Sequence, residues 1–267
     1  MVEVKIPDTA THDERKWDAT VSWTHGNVSR HIEGRDSFPE PFEPLVRKSE
    51  RATLYRFNAH QIAAVAVSED ERPRIKPDGV NTAAVLAALK LEDEETFDQI
   101  EDELRRIIPS VERIRIRREK TRAGAMGHKI VLDLRGAPGI PAEGASEGTL
   151  VTLALITVLC SPDRPHLLML DDLHHALHPE AQLELVRQLK QLLVRFPEVQ
   201  IVATTHSPYI LEELDPSQIL VFAHHQDGYA AVKPLSAHPQ AAQMAGALTA
   251  GQLWSLDPER RWVLEEG

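Results

Sequence analysis

Apolar and polar positions follow two different rhythms along this chain. Over residues 1–75 the apolar segments are short. Ala19, Val21 and Trp23 alternate with polar residues before the turn-like "THGN", and "ATLYRF" at Ala52–Phe57 resembles a second strand. A period of two is typical of half-buried strands, and a turn after such a segment makes a hairpin plausible. The pattern therefore predicts a β-rich beginning.

Residues 76–126 have a helical character that ends in a charged strand. A helix capped by Asn81 or Thr82 runs to Leu89, and "EDEETFDQIEDELRRIIP" is an amphipathic helix that ends before Pro109. In "VERIRIRRE" isoleucine alternates with charge, and "HKIVLDL" is a further strand. Proline after a helical pattern indicates where the helix ends.

The last part of the chain alternates helices with buried apolar strands. A helix at Gly148–Cys160 precedes "HLLML", a helix at Glu180–Phe196 precedes "VQIVATT", and a short helix near Tyr209–Leu214 precedes "QILVFA". This alternation is typical of a parallel sheet in an α/β protein. We therefore expect an α/β fold with four stretches: a β-rich part at 1–75, a helical and basic-strand part at 76–126, a core at 127–235 and a tail at 236–267.

Composition narrows the class of protein. With 267 residues, 42% hydrophobic and 27% charged, the chain has the make-up of a globular protein, and its net charge of −11 argues against coating nucleic acid with its whole surface. The single cysteine, Cys160, excludes an internal disulfide and suits a reducing cytoplasm. The longest apolar run, Leu150–Cys160, is too short to cross a bilayer, so no membrane partner is expected.

Two strand ends carry residues that suit phosphate chemistry. Asp171 and Asp172 follow "LLML", whereas Thr204, Thr205 and His206 follow "IVA". Ligands of parallel sheets bind at the carboxyl ends of the strands. A carboxylate there can hold Mg2+ together with waters and phosphate oxygens, a second can activate water, and a histidine can contact a γ-phosphate. The simpler alternative is that the two aspartates cap a loop.

Three ordered motifs carry a family resemblance. "ASEGTL" (Ala145–Leu150), "LLMLDDLHHALHP" (Leu167–Pro179) and "VATTHSPYIL" (Val202–Leu211) resemble the signature, the Walker B strand with its D-loop, and the switch histidine of ABC-type ATPases. The resemblance is to the RecF/SMC-like and OLD-like group, often labelled AAA-type, and covers roughly residues 50–235. "DGVNTAAVLAAL" (Asp78–Leu89) is similar to a segment these proteins carry before the signature. The resemblance as a whole implies a P-loop NTPase core that uses ATP and Mg2+.

The resemblance also implies roles for individual residues. The start of the signature helix would face the γ-phosphate of a nucleotide held by another subunit; its residues are Ser146, Glu147, Gly148 and Thr149. Asp171 would hold Mg2+ through water, Asp172 would polarise the attacking water, and His206 would sense the γ-phosphate. The chain would then act as a homodimer or with a partner ATPase chain.

Two departures from the family pattern affect this reading. Asp172 replaces the usual glutamate and is one methylene shorter, so hydrolysis is expected to be slow. No G-x-x-x-x-G-K-[ST] phosphate loop occurs, since "GAMGHKI" (Gly124–Ile130) has the wrong spacing and leads into a strand. The sequence is thus expected to be part of a longer ATPase, one half of a split protein, or a degenerate ATPase kept as a non-catalytic interaction or regulatory subunit.

Two other interpretations concern metal and DNA. Asp171, Asp172, His174, His175 and His178 would suit a transition metal by composition, although the family usually has Glu-Asn-Gly-Leu-His-Pro over the last six positions of this motif. A third hypothesis is therefore a metal site of Asp171, His174 and His175. Arg113, Arg115 and Arg117 would share the solvent face of their strand, and that face could meet DNA phosphates or be balanced by the preceding acidic helix.

Overall fold

The computed structural model describes residues 2–6, 18–24, 27–33, 52–68, 70, 72–225 and 229–264, the first three ranges by their backbone alone. Contacts divide the chain into two compact units. Unit 1 comprises Met1–Asp171 and Leu192–Thr204, and unit 2 comprises Asp172–Gln191 and Thr205–Gly267. The division of the sequence into four stretches remains a prediction, because these units group residues by contact and not by their order in the chain.

The first sheet of unit 1 is an antiparallel meander. Its strands are β1 (Val2–Ile6), β2 (Asp18–Thr24) and β3 (Asn27–Glu33), in the order β1-β2-β3. β2 pairs with β3 from Asp18↔Glu33 to Thr24↔Asn27, which confirms the predicted hairpin.

The parallel sheet of unit 1 contains β4 (Ala52–Tyr55), β8 (Leu167–Leu170) and β9 (Gln200–Ala203), with β8 in the centre. Both pairings are parallel, which confirms the predicted α/β class. On one face Leu168 and Leu170 are buried. On the other face Leu54, Met169 and Val202 lie in register, and Leu54 and Val202 remain 41% and 51% exposed. Within the part of the chain that the structure describes, β9 pairs with β8 alone.

Helices of unit 1 supply most of its core. They are α1 (Ala59–Ala63), α2 (Thr82–Glu92), α3 (Glu94–Ile107) and α4 (Glu147–Cys160). α3 is amphipathic and buries Phe97, Ile100 and Leu104, whereas α4 is apolar on nearly every side and is buried almost throughout. A helix that is hydrophobic all round must be covered on every face, so α4 is the central helix of this unit.

Asp93 fixes the start of α3. Its carboxylate accepts hydrogen bonds from the backbone N–H of Thr96 at 3.1 Å and from the Thr96 hydroxyl at 2.6 Å. These bonds, the hydroxyl first, hold the pKa of Asp93 below its usual value. Because the folded pKa is lowered, the ionised carboxylate stabilises the protein above the unfolded pKa, and this stability is lost as the pH falls through the folded pKa.

Asp93→Ala is expected to lower the free energy of unfolding by about 1 kcal/mol at neutral pH, the usual effect of losing an N-cap. The deficit should shrink in acid, as measured by urea unfolding at a series of pH values. Asp102→Ala serves as the control, because Asp102 is exposed on the same helix in a surface pair with Arg105 and should change stability by less than about 0.5 kcal/mol. A deficit independent of pH would contradict a role for the carboxylate charge.

A second antiparallel sheet of unit 1 carries the basic face. It contains β5 (Val111–Lys120), β6 (Met126–Leu134) and β7 (Ala137–Pro141) in that order. Arg113, Arg115 and Arg117 are exposed on β5, as expected, while Ile114 is buried. Arg115 is partly neutralised, because its Nε donates to Asp133 Oδ2 at 2.7 Å. The face therefore carries less unpaired charge than three arginines suggest.

Helix α5 (Pro179–Arg195) follows β8 along the chain. Unit 2 contains α6 (Pro208–Glu212), α7 (Ala250–Trp254), α8 (Glu259–Val263), and the antiparallel strands β10 (Leu220–His224) and β11 (Ala230–Pro234). "QILVFA" was expected in the parallel sheet, and this expectation is wrong. The connection from β10 to β11 is long enough for a hairpin but too short for the crossover that parallel strands need.

The sequence patterns missed several short elements. They are β7, β11, α1, α7, α8 and the 3-10 turns Ala142–Gly144, Pro216–Gln218 and Leu235–Ala237. Among the helices of the described residues, none has both the length and the apolar character that crossing a membrane demands.

Candidate functional site

In unit 1 the carboxyl edge of the parallel sheet gathers three polar side chains. Tyr55, Leu170 and Ala203 are the last strand residues and lie in register, so the next residue of each strand projects at the same edge. The Thr204 hydroxyl donates to Asp171 Oδ1 at 2.9 Å, and Arg56 Nε lies 3.0 Å from Asp171 Oδ2. Asp171 and Thr204 are thus brought together as the strand pattern predicted.

Asp171 remains accessible although both of its oxygens are engaged. Its side chain is 32% exposed and that of Arg56 is 79% exposed. An exposed ion pair is weak and easily exchanged, because water and salt screen it. The carboxylate can therefore exchange the guanidinium for a metal-bound water while the Thr204 hydroxyl keeps its orientation.

Arg56 is the residue of this edge that the sequence analysis missed. The strand "ATLYRF" was recognised, but its neighbour in the sheet was not. The available signal was a charged residue directly after an apolar strand, the same signal that singled out Asp171.

In unit 2 the loop after β8 has an unusual backbone. Asp172 and Ala176 have positive φ angles of 55° and 60°. Aspartate visits this region more readily than most residues, whereas alanine has no compensating side-chain bond there. Hydrogen bonds from His175 N–H to Asp172 O at 2.8 Å and from Leu177 N–H to His174 O at 3.3 Å close two successive turns. By the resemblance, Ala176 stands where the family usually has glycine, the residue that adopts this backbone conformation most readily.

The switch segment of unit 2, defined here as residues 205–207, contacts this loop. His174 Nδ1 lies 3.1 Å from the Thr205 hydroxyl oxygen and 3.4 Å from the backbone nitrogen of His206. The rings of His174 and His206 meet edge to face at 6.2 Å. Of the residues predicted to be catalytic, Asp172 and His206 therefore belong to one unit, in which His174 connects the loop to the switch segment.

A buried hydrogen bond holds the far end of the switch segment. The hydroxyl of Ser207 donates to Gln182 Oε1, and Gln182 Nε2 donates to Leu177 O at 2.8 Å. Both Ser207 and Gln182 are buried. Sequence reasoning missed this pair, since glutamine and serine at this separation give no local signal.

The predicted signature residues form the start of α4 in unit 1. Ser146 is the N-cap: its Oγ accepts from Thr149 N–H at 3.2 Å and lies 2.7 Å from Thr149 Oγ1. Glu147 is exposed in the first turn, whereas Gly148 and Thr149 are buried. The helix start is as predicted, and the first-turn N–H groups of a helix favour an anion.

A family model described as "AAA domain, putative AbiEii toxin, Type IV TA system" matches residues 27–212, which is more than half of the chain. The chain belongs to this AAA domain family. The resemblance to AAA-type ATPases inferred from the motifs is thereby confirmed, and so is the P-loop NTPase class of its fold.

Solved SMC head structures also resemble the AAA domain. One, from a study of ATP-driven dimerization and DNA-stimulated activation of SMC ATPases, is 14% identical, with 55% of this chain and 88% of that chain covered and a TM-score of 0.42. An SMC head bound to the C-terminal winged-helix domain of ScpA is 14% identical (83% and 68% covered, TM-score 0.48). The SMC head domain from Thermotoga maritima is 10% identical (85% and 77% covered, TM-score 0.41). The curated proteins give no match.

Metal binding by side chains alone finds no support in the AAA domain. Across the described ranges, no group of three or more His, Cys, Asp or Glu side chains is arranged to hold an ion. His175 and His178 are exposed, and His174 is turned to the switch segment. For Mg2+ the requirement differs, because this ion keeps several waters and takes one or two carboxylates together with phosphate oxygens. Asp171 fits that requirement.

Proposed function

We propose that the chain supplies the magnesium-facing and γ-phosphate-facing part of an ATPase site. In this proposal Asp171 holds Mg2+ through water, Asp172 polarises the attacking water, and His206 senses the γ-phosphate. Phosphoryl transfer depends mainly on positioning and charge stabilisation, so a few fixed groups can perform these tasks. The reaction would convert ATP and water into ADP and phosphate.

The observation that carries this proposal is the position of Asp171. It follows the central strand of a parallel sheet, at the edge where such sheets bind ligands, and its carboxylate is oriented by the Thr204 hydroxyl on the next strand. A chain of the AAA domain family with this arrangement has the group that a nucleotide-bound Mg2+ requires.

The proposal includes a second polypeptide. The sequence contains no G-x-x-x-x-G-K-[ST] motif, so the phosphates need a loop from outside this sequence, supplied by a longer form of the chain or by the partner. Residues Ser146–Thr149 would then face a nucleotide held by that partner, through the N–H groups at the start of α4. The family resemblance favours a homodimer or a partner ATPase chain of the RecF/SMC-like or OLD-like type. A single cysteine suits a reducing compartment, and we propose the cytoplasm as the location.

Titration of the purified chain with fluorescent ATP and ADP analogues, with Mg2+ or with EDTA, tests the proposal. Saturable binding that needs Mg2+ and prefers the triphosphate would support it. Equal binding of both analogues in EDTA would contradict it. If neither binds up to millimolar concentration, the titration is repeated after fusing a strand–phosphate-loop–helix segment to the chain, and failure there too would contradict the proposal.

The second candidate is a non-catalytic interaction subunit with the same fold. Under that alternative, loss of the Asp171 carboxylate leaves partner binding intact. The unaltered chain would show no Mg2+-dependent nucleotide binding that the substitution could remove. The third hypothesis, a transition-metal site, predicts stoichiometric zinc in the purified chain.

DNA is a candidate partner because the basic face of β5 is exposed. Arg113 and Arg117 are the better contacts, since Arg115 is tied to Asp133. In the Arg113→Gln/Arg117→Gln double variant, the slope of log K against log salt for duplex DNA is expected to fall by up to about 2, because each phosphate contact contributes about 0.9.

The matched control removes two charges elsewhere, with Arg260→Gln/Arg261→Gln in α8. Fluorescence anisotropy at several salt concentrations measures both slopes. If the two variants changed the slope equally, binding would depend on overall charge and not on β5.

A further inference from the structure

His174 is the unusual residue of the loop after β8, where the family pattern has glutamate. Its ring is half-buried, and Nδ1 is the atom directed at the switch segment, with the Thr205 hydroxyl at 3.1 Å and the His206 backbone nitrogen at 3.4 Å. Its neighbour His175 is exposed. The two adjacent histidines therefore differ in their surroundings, although the sequence does not distinguish them.

The hydrogen-bond directions determine the tautomer of His174. A backbone N–H can only donate, so Nδ1 must accept from His206. Because Nδ1 accepts from His206, the Thr205 hydroxyl must be the donor in its contact with Nδ1, while its oxygen also accepts from Ser207 N–H at 3.1 Å. Both donors converge on one lone pair, and the ring proton therefore belongs on Nε2.

We propose that His174 is a positioning residue that fixes the backbone of His206 through the Nδ1 acceptor. This inference rests on the proposed function, in which His206 senses the γ-phosphate, and it connects the loop after the Asp171 strand to that sensor. The buried Ser207–Gln182 bond anchors the other end of the same segment. Loss of the Nδ1 acceptor should release Thr205 and His206 while Ser207 stays in place, so the chain still folds.

The test replaces His174 with asparagine or glutamine, whose amide side chains place a hydrogen-bond acceptor at different positions. Asparagine puts its carbonyl oxygen near the position of Nδ1, whereas glutamine puts it near that of Nε2. In the full chain without nucleotide, the backbone N–H of His206 should exchange with water about five- to tenfold faster in His174→Gln than in wild type, the effect of one net hydrogen bond. His174→Asn should restore slow exchange. His175→Gln is the matched control and should leave the exchange unchanged.

Nitrogen NMR of the imidazole provides an independent readout. Neutral His174 should carry its proton on Nε2, and a proton on Nδ1 would overturn the proposal. Equal exchange in His174→Asn and His174→Gln would also overturn it, since a packing role would not discriminate between the two amides. Circular dichroism spectra matching wild type confirm that both variants fold.

Failure of this inference and failure of the proposed function give different results. Fast exchange in His174→Gln, together with nucleotide binding that needs neither Mg2+ nor the triphosphate, would leave the His174 link standing and remove the γ-phosphate sensor. Unchanged exchange, together with Mg2+-dependent binding of the ATP analogue, would remove the link and leave the ATPase site.

Discussion

Asp171→Ala is expected to weaken Mg2+-dependent binding of the ATP analogue at least about 100-fold, in the chain or in its complemented form. The carboxylate is the group placed to hold the hydrated ion, and losing several kcal/mol of electrostatic stabilisation corresponds to a change of this size. The Thr204 hydroxyl and Arg56 lose their contacts with the carboxylate in this variant, but both residues are exposed at the sheet edge, so the fold should persist.

The control for Asp171→Ala is Asp163→Ala. Asp163 is also partly exposed and also paired with an arginine, since Arg74 Nη2 lies 3.4 Å from its carboxylate, but it precedes β8 and lies away from the carboxyl edge. The Asp163→Ala variant should bind the ATP analogue as wild type does. Equal losses in both variants would mean that general negative charge, and not the Asp171 position, matters.

Arg56→Ala is expected to change Mg2+ binding at the same carboxylate in the opposite direction. Removing the guanidinium frees Asp171 Oδ2 from a competing cation, so half-saturation with Mg2+ should occur at a lower concentration than in wild type. A higher requirement for Mg2+ would show that Arg56 assists the ion or the phosphates directly.

Gly251→Ala is expected to lower the free energy of unfolding by at least about 2 kcal/mol. A Cβ at Gly251 in α7 would overlap the carbonyl oxygen of Pro208 in α6 and lie 2.9 Å from Glu212 Cγ. Helix propensity alone predicts the reverse, since alanine is favoured over glycine in a helix by about 1 kcal/mol. The overlap with backbone outweighs that preference because α6 and α7 must move apart.

Gly246→Ala separates steric overlap from backbone conformation. Gly246 has a φ of 79°, and a Cβ there would meet nothing within 4 Å, so its cost should be about 1 to 2 kcal/mol from conformation alone. Chemical unfolding of both variants measures the difference. A Gly251→Ala variant as stable as wild type would show that α6 and α7 separate without penalty. Because α6 begins directly after the switch segment, the same variant should also speed exchange of the His206 amide.

Much of the fold could be predicted because its signals are local. The alternation in "ATVSW", the Asn81–Thr82 start of α2 and the apolar strand before Asp171 each lie within one short window of sequence. The meeting of Asp171 with Thr204 was also predictable, since parallel strands of one sheet bring their carboxyl ends together.

Other features depended on contacts that no local window contains. Arg56 reaches Asp171 because β4 is the neighbour of β8, and strand order follows from packing the whole unit. The same holds for Gly251 against Pro208, and for His174 against the switch segment. β10 resembled a parallel strand because its own pattern is apolar. It is antiparallel because it pairs with β11, the strand that follows it after a short connection. The roles of Asp172, His206 and Ser146–Thr149 remain predictions.

One side of β9 has no strand partner among the described residues, and this affects how the protein is expected to behave at high concentration. Parallel sheets are normally covered on both faces, yet Leu54 and Val202 are 41% and 51% exposed, and in the described part of the chain β9 pairs with a strand on one side only. An uncovered edge beside an apolar surface is a template on which further molecules can add their own strands. Precipitation on concentrating the purified protein would therefore be a property of correctly folded molecules, and its remedy is dilution or a covering partner, not refolding.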